Sequence, residues 1–140
     1  MIKHKKIPED IEALLPQAIS YLESNHNIIF AYLFGGLAKG KPLPLSDVDI
    51  AVYLNKNTDI IEEKLEMIGN LITILHTDEI DLVILNSSAL PLKMRILENK
   101  KVIVDKAPCT RHVFESLTMR KYFDFSHQES NILRRRFLHG

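Results

Sequence analysis

Residues 28–54 read IIFAYLFGGLAKGKPLPLSDVDIAVYL and contain the stretch that decides the fold. Residues 28–34 are a short, almost wholly apolar run, which is typical of a β-strand covered on both faces. Gly35 and Gly36 end that run abruptly, and the further glycine and two prolines that follow exclude a long regular element before the next strand. A second strand is predicted over residues 47–54. The stretch therefore predicts two strands joined by an irregular loop that opens with two glycines.

Carboxylates are predicted to share one face of the sheet. Asp47 and Asp49 are two residues apart, so they lie on the same face of the second strand. A third strand is predicted over residues 80–85, where Asp81 shares a face with Val83. Two close carboxylates repel each other unless a proton or cation lies between them, and a hard divalent ion resolves that repulsion. If the second and third strands are neighbours, Asp81 completes a cluster of three carboxylates.

Helical patterns precede and separate these strands. The first helix is expected mainly over residues 15–24, because Pro16 would kink or restart an earlier one. A second helix is predicted over residues 59–75, with Thr58 or Asp59 as its cap. Its core face is predicted from apolar positions that recur at three- and four-residue steps: Ile61, Leu65, Ile68, Ile72 and Leu75.

The last part of the chain predicts a third helix over residues 91–99 and a short fourth strand over residues 102–104. From about residue 108 onward the pattern is mainly helical, with an apolar seam formed by Val113, Phe114 and Leu117. The order α-β-β-α-β-α-β-α predicts a mixed-sheet α/β structure. We expect one domain over residues 1–140, with the residues from about 108 as a C-terminal helical extension.

Composition excludes several classes of protein. The 140 residues contain 18 basic and 18 acidic groups and 46% apolar residues, as in an ordinary globular domain. The zero net charge argues against indiscriminate nucleic-acid binding, and no apolar run approaches the roughly 18 residues of a membrane helix. The first ten residues lack the apolar segment of a secretory signal. Cys109 is the only cysteine, which excludes an internal disulfide and predicts a cytoplasmic location.

The combined pattern resembles the polymerase-beta-like nucleotidyltransferases. The family pattern is a strand, Gly-Ser, ten residues, Asp-x-Asp and a later third Asp. Here it is Gly35-Gly36, ten residues, Asp47-Val48-Asp49 and then Asp81. The short length and the Ala-Lys-Gly of the loop are most similar to the minimal nucleotidyltransferases, the antitoxin partners of small helical HEPN-domain toxins. The resemblance covers residues 15–125 or so and implies the polymerase-beta-like fold, a small mixed sheet flanked by helices.

The resemblance also implies a role for each residue of the pattern. The substrate nucleotide, ATP, would be bound by Gly35, Gly36, Lys39 and Ser46. Two Mg²⁺ ions would be bound by Asp47, Asp49 and Asp81. The third of these carboxylates, Asp81, would also help to deprotonate the attacking hydroxyl in an in-line phosphoryl transfer.

Two positions depart from the family pattern. Lys39 stands where the family usually has arginine, so it keeps the positive charge but not the bidentate geometry. Gly36 stands where the family has serine, which removes one phosphate hydrogen bond worth about 1–3 kcal/mol. The backbone N–H groups of the loop remain, so weaker nucleotide binding is expected.

The implied function is transfer of AMP from ATP to a hydroxyl, tyrosine by resemblance, of a partner HEPN toxin. Two alternatives stay open: a non-catalytic antitoxin that neutralises the toxin by binding, which Gly36 favours, and a nucleotidyltransferase subunit that acts on a small molecule. A homo-oligomer is left open, and no membrane is expected as a partner. Partner contacts are expected in residues 71–140, which hold 11 basic and 8 acidic groups. This half also contains the candidate anchors Phe123, Phe125, Arg134 to Arg136, Phe137 and Leu138.

Overall fold

A computed structural model describes residues 11–36, 38 and 48–138, and at residues 130 and 132–138 it describes the backbone only. These ranges contain four helices, α1 (Ile11–Ser24), α2 (Ile60–Leu75), α3 (Leu90–Glu98) and α4 (Pro108–Leu138). They also contain four strands, β1 (Ile28–Phe34), β2 (Val48–Leu54), β3 (Ile80–Ile84) and β4 (Lys101–Asp105), and a 3₁₀ turn, Leu85–Ser87. The predicted order of elements is confirmed. Within the described ranges, no helix combines the length and apolar character that crossing a membrane requires.

The four strands form one mixed sheet in the order β3-β2-β1-β4. Strand β1 is antiparallel to both β2 and β4, whereas β2 and β3 run parallel. The parallel pair is joined through α2, as a crossover between parallel strands requires. The condition that the second and third strands are neighbours is therefore met, and β3 and β4 are the two edges of the described sheet.

Helices cover both faces of the sheet. One face carries α1 and α2 over a core that includes Val48, Ile50, Val52 and Leu54 of β2. The other face carries α3 and the first part of α4 over a core that includes Ala51. The alternation along β2 places Asp49 on the same side as Ala51.

The first helix differs from the prediction because it continues through Pro16. Ile11, Ala18 and Leu22 are all buried, so one side of the helix packs on the core both before and after the proline. Pro16 itself is exposed and lies early in the helix. It removes the backbone hydrogen bond to Glu12, and the burial of Ile11 holds the preceding turn in place.

The predicted core face of α2 is wrong at three of its five positions. Ile61 and Leu65 are 75% and 68% exposed, and Ile72 is also exposed. The residues that fill the core are Met67, Leu71 and Leu75. Apolar residues are so frequent in this helix that steps of three and four residues fit more than one face, and packing chooses between them. The predicted cap is confirmed, because the Asp59 side chain accepts a hydrogen bond from the backbone N–H of Glu62 at 3.2 Å.

A polar network fixes α4 to the sheet. Tyr32 of β1 is fully buried, and its hydroxyl donates to Glu115 Oε2 over 2.6 Å. Arg111 pairs with the same carboxylate at 3.1 Å and with Asp105 of β4 at 3.0 Å. Burial, together with the neighbouring Glu115, raises the pKa of Tyr32 well above its ordinary value. The neutral tyrosine therefore acts as a donor that couples β1 and β4 to α4.

The predicted apolar seam of α4 is only partly correct. Phe114 packs against the core and contacts the rings of Phe30 and Tyr53, with centroids 5.5 Å and 5.3 Å away. Val113 and Leu117 are exposed, because the face that meets the sheet also carries polar groups of the network described above. Further along the helix, apolar surface continues at Met119, Tyr122, Phe123 and Phe125.

Candidate active site

Two predicted carboxylates occupy the same register position on neighbouring strands. Asp49 of β2 pairs with Asp81 of β3 in the parallel ladder. Paired residues of adjacent strands face the same side of the sheet and are separated by about 4.8 Å across the ladder. Asp49 is half-buried and Asp81 is exposed, so the pair opens toward solvent on the β3 side.

The glycine loop begins directly against this pair. Gly35 follows β1, whose last residue Phe34 pairs with Asp49. Its φ of +75° is a conformation that side-chain-bearing residues rarely adopt. A Cβ built on Gly35 would collide with Asp49 Oδ2 and lie 3.2 Å from its Cγ. Glycine is thus required here both for the backbone conformation and for the close approach of the carboxylate.

The remaining predicted site residues fall partly outside the described residues. Gly36 lies next to Gly35 at the start of the loop. Lys39, Ser46 and Asp47 lie outside the described ranges, and their predicted roles stay predictions. The fold thus brings Gly35 to Asp49 and Asp49 beside Asp81.

A divalent cation is the group that the donor chemistry fits best. Asp49 and Asp81 supply carboxylate oxygens, the ligands that Mg²⁺ prefers in proteins. In the part of the chain that the structure describes, no three His, Cys, Asp or Glu side chains form a metal-type cluster. The third predicted ligand, Asp47, lies outside the described ranges, so its part in this donor set stays a prediction.

A groove of about 560 Å³ runs along the outer edge of β3 and includes Asp81 in its lining. Helix α2 contributes Ile61, Lys64 and Leu65, and α3 contributes Leu92. The sequence pattern predicts Ile61 and Leu65 in the core, so it does not indicate that they lie on the surface. A second apolar stripe on α2 includes the buried Met67 and Leu71. That stripe is the signal that could have predicted an exposed position for Ile61 and Leu65.

Comparisons with known proteins agree with this geometry. The family model described as polymerase beta, nucleotidyltransferase matches residues 17–108, a range that includes all four strands. Among curated proteins, none matches the sequence.

Three solved structures with the same fold are toxin–antitoxin complexes. A chain of a toxin–antitoxin structure with AMP-PNP is 24% identical, with a TM-score of 0.69 over 87% of this chain and 94% of that chain. A chain from the complex of tri-AMPylated Shewanella oneidensis HEPN toxin with MNT antitoxin is 22% identical, with a TM-score of 0.64 over 88% and 92%. A chain of the MntA-HepT complex is also 22% identical, with a TM-score of 0.64 over 90% and 96%.

These likenesses confirm the polymerase-beta-like fold that the resemblance implied. The family model shows membership of the family as well as the fold, because it matches about two-thirds of the sequence. The matched range includes the glycine loop and both described carboxylates. The chain therefore belongs to the polymerase beta nucleotidyltransferase family.

Proposed function

We propose that this chain is a metal-dependent nucleotidyltransferase that transfers AMP from ATP to a tyrosine hydroxyl of a HEPN-domain partner and thereby acts as its antitoxin. The observation that carries the proposal is the juxtaposition of Gly35, Asp49 and Asp81. Glycine backbone at the end of β1 can approach a phosphate closely, and the two carboxylates adjoin it on successive strands. A related complex contains AMP-PNP and another contains an AMPylated HEPN toxin, which supports both the donor and the acceptor.

The reaction assigns a separate task to each group. The acceptor oxygen forms a bond to the α-phosphorus of ATP while the bond from that phosphorus to the α,β-bridging oxygen breaks. Pyrophosphate leaves with the bonding electron pair, and the hydroxyl proton passes to the carboxylate of Asp81. Two Mg²⁺ ions held by Asp47, Asp49 and Asp81 would neutralise charge on the phosphate oxygens. The N–H groups of Gly35 and Gly36 orient the triphosphate beside Asp49.

We assign the stable contacts with the partner to α4. Its exposed surface includes Leu117, Met119, Phe123 and Phe125, and large apolar groups of this kind anchor protein interfaces. Glu115 and Arg111 fix this helix to Tyr32 of β1 and Asp105 of β4, and β4 is the edge opposite β3, so an anchor on α4 leaves the β3 edge accessible. Such an arrangement lets one partner stay bound while its acceptor residue enters the site.

Co-expression with the HEPN partner tests the proposal. Mass spectrometry of the co-purified partner should detect added AMP when the wild-type chain is present. Asp47→Ala should abolish the modification while the complex still co-purifies. Asp78→Ala, which removes an exposed carboxylate just before β3, is the matched control and should leave the modification unchanged. Partner that remains unmodified in the wild-type complex would contradict the proposal.

Binding without catalysis is the second candidate function, and Gly36 is the observation that favours it. Gly36→Ser restores the hydroxyl of the family pattern and should tighten ATP binding about 5- to 150-fold, since the lost hydrogen bond is worth about 1–3 kcal/mol. Under the catalytic proposal, wild type already modifies the partner and Gly36→Ser does so faster. Under the binding proposal, the partner is unmodified with the wild-type chain. Thermal melts add a second measure, because Mg-ATP at 100 times its Kd should stabilise the wild-type fold by about 2.7 kcal/mol.

A further inference from the structure

The outer edge of β3 lies open along a lined groove. Within the described residues, β3 pairs with β2 alone, so its other edge has backbone groups that no neighbouring strand satisfies. The groove beside that edge is bounded by α2 on one side and by Leu92 of α3 on the other. An edge of this kind is a template for pairing with a further strand.

Three features of the groove point to a polypeptide occupant. Ile61 and Leu65 line the groove and are mostly exposed, so the groove has apolar surface that a bound polypeptide could bury. The charged residues of its lining are Lys64 and Asp81, and the strand between residues 82 and 84 is wholly apolar. The strand is five residues long, which offers an added strand about 16 Å of pairing edge.

The groove is continuous with the candidate active site through Asp81. Gly35 adjoins Asp49 on the β1 side, and the groove adjoins Asp81 on the opposite, outer side. In-line transfer needs the attacking oxygen and the leaving pyrophosphate on opposite sides of the phosphorus. A nucleotide held from the Gly35 side and an acceptor supplied from the groove satisfy that requirement.

We propose that the groove docks an extended segment of the partner polypeptide as an added strand on β3, and that this segment carries the acceptor hydroxyl to Asp81. The inference rests on the proposed function and names how its acceptor is recognised. Asp81 and Val83 face the α3 side of the sheet, whereas Leu82 and Ile84 face the α2 side. Because side chains alternate along a strand, the hydroxyl residue lies level with Asp81 and its two sequence neighbours point toward Ile61 and Leu65. The acceptor sequence is therefore apolar–hydroxyl–apolar.

Leu65→Glu tests the groove without touching the carboxylate pair. Leu65 is exposed, so the added charge blocks an apolar neighbour of the acceptor and leaves the core intact. Thr73→Glu adds the same charge to an exposed position of α2 outside the groove lining and serves as control. We expect Leu65→Glu to lower kcat/KM for AMP transfer to the HEPN partner at least tenfold, mainly through KM for the partner. The KM for ATP should stay unchanged, and Thr73→Glu should remain within twofold of wild type.

Hydrogen exchange measures the same contact independently of catalysis. Binding of the HEPN partner to the wild-type chain should slow exchange at alternate amides of residues 80–84, those that point away from β2. The protection should be lost in Leu65→Glu and kept in Thr73→Glu, while both variants still co-purify with the partner through α4. Equal transfer and equal protection in the two variants would overturn the groove proposal.

Failure of the proposed function gives a different result. If the wild-type complex transfers no AMP yet protects residues 80–84, the docking groove stands and the transfer is wrong. If transfer occurs but the protected amides lie outside β3, the transfer stands and the groove is wrong. Protection of β3 in the isolated chain, rising with its concentration, would assign the groove to a second copy and overturn the partner assignment.

Discussion

The two edge strands of the sheet differ in the charged and apolar side chains that they carry or adjoin. Strand β4 carries exposed charges at both ends, Lys101 and Asp105, and Asp105 is fixed by the 3.0 Å ion pair with Arg111. Strand β3 carries one charge, Asp81, and is flanked by the exposed apolar side chains of Ile61 and Leu65. Charged edges resist pairing with other chains, and apolar edges invite it.

The difference sets a structural role at β4 against the functional role that we propose for β3. At β4, Asp105 belongs to the network that holds α4 on the sheet. At β3, the single charge is a predicted catalytic carboxylate, and the uncovered apolar surface beside it has no structural task in the described residues. Substitutions on the β3 side should therefore change activity, and substitutions on the β4 side should change stability.

The largest effect is expected on the β3 side from Asp81→Asn. The amide is nearly isosteric but cannot accept the proton of the acceptor hydroxyl, so AMP transfer should fall about 10²–10⁴-fold. The melting temperature should stay near that of wild type, because Asp81 is exposed. Steady-state transfer assays measure the loss of activity, and thermal melts measure the melting temperature. A variant that keeps wild-type activity would remove Asp81 from the site.

On the β4 side, Glu115→Ala should lower stability and leave activity unchanged. Removing this carboxylate leaves the buried Tyr32 hydroxyl without its acceptor and Arg111 with one ion-pair partner fewer. We expect a loss of about 2–4 kcal/mol in the free energy of unfolding, measured by urea denaturation. Glu129→Ala, at an exposed position of the same helix, should change it by less than about 0.5 kcal/mol. At a temperature where Glu115→Ala is folded, its rate of AMP transfer should match that of wild type. A lower rate would contradict a purely structural role for the β4 side.

Alkaline pH should weaken the β4 side selectively. Burial and the neighbouring Glu115 raise the pKa of Tyr32 above its ordinary value of 10.0; the other charged groups around it are Arg111, Asp105 and Lys100, whose Nζ lies 6.0 Å from the centre of the Tyr32 ring. The unfolded chain releases the tyrosine proton above pH 10, whereas the folded chain retains it. Stability from this group is therefore complete below pH 10 and falls by about 1.4 kcal/mol per pH unit above it. Urea denaturation of wild type and Tyr32→Phe between pH 8 and 11 measures this loss as the difference between the two proteins. If the free energy of unfolding depends on pH in the same way in both, the prediction is wrong.

Much of the candidate site follows from local sequence because its geometry depends on strand parity. A period of two residues puts Asp49 on the face opposite the core residue Ile50, and the same rule applied to β3 gives the face of Asp81. The network at β4 could not be predicted in this way. Tyr32 and Glu115 are 83 residues apart, and no local period relates them.

The face of α2 was predicted incorrectly for a different reason. Its apolar residues fit two overlapping stripes, and the choice between them depends on how the helix docks on the sheet. The error concealed Ile61 and Leu65, the residues that distinguish the β3 edge. Sequence patterns thus placed Asp49 and Asp81 on the face of the sheet where the structure has them, and missed the surface beside them.

The smallest expected effect is also the sharpest test of that surface. If Leu65 belonged to the core, Leu65→Ala would cost about 2–5 kcal/mol of the free energy of unfolding. Since it is 68% exposed, we expect a change of less than about 0.5 kcal/mol. Leu71→Ala removes the same atoms from a fully buried position of the same helix and should show the full core cost. Urea denaturation of the two variants side by side decides the matter. Equal losses would place Leu65 in the core and leave β3 with an ordinary, covered edge.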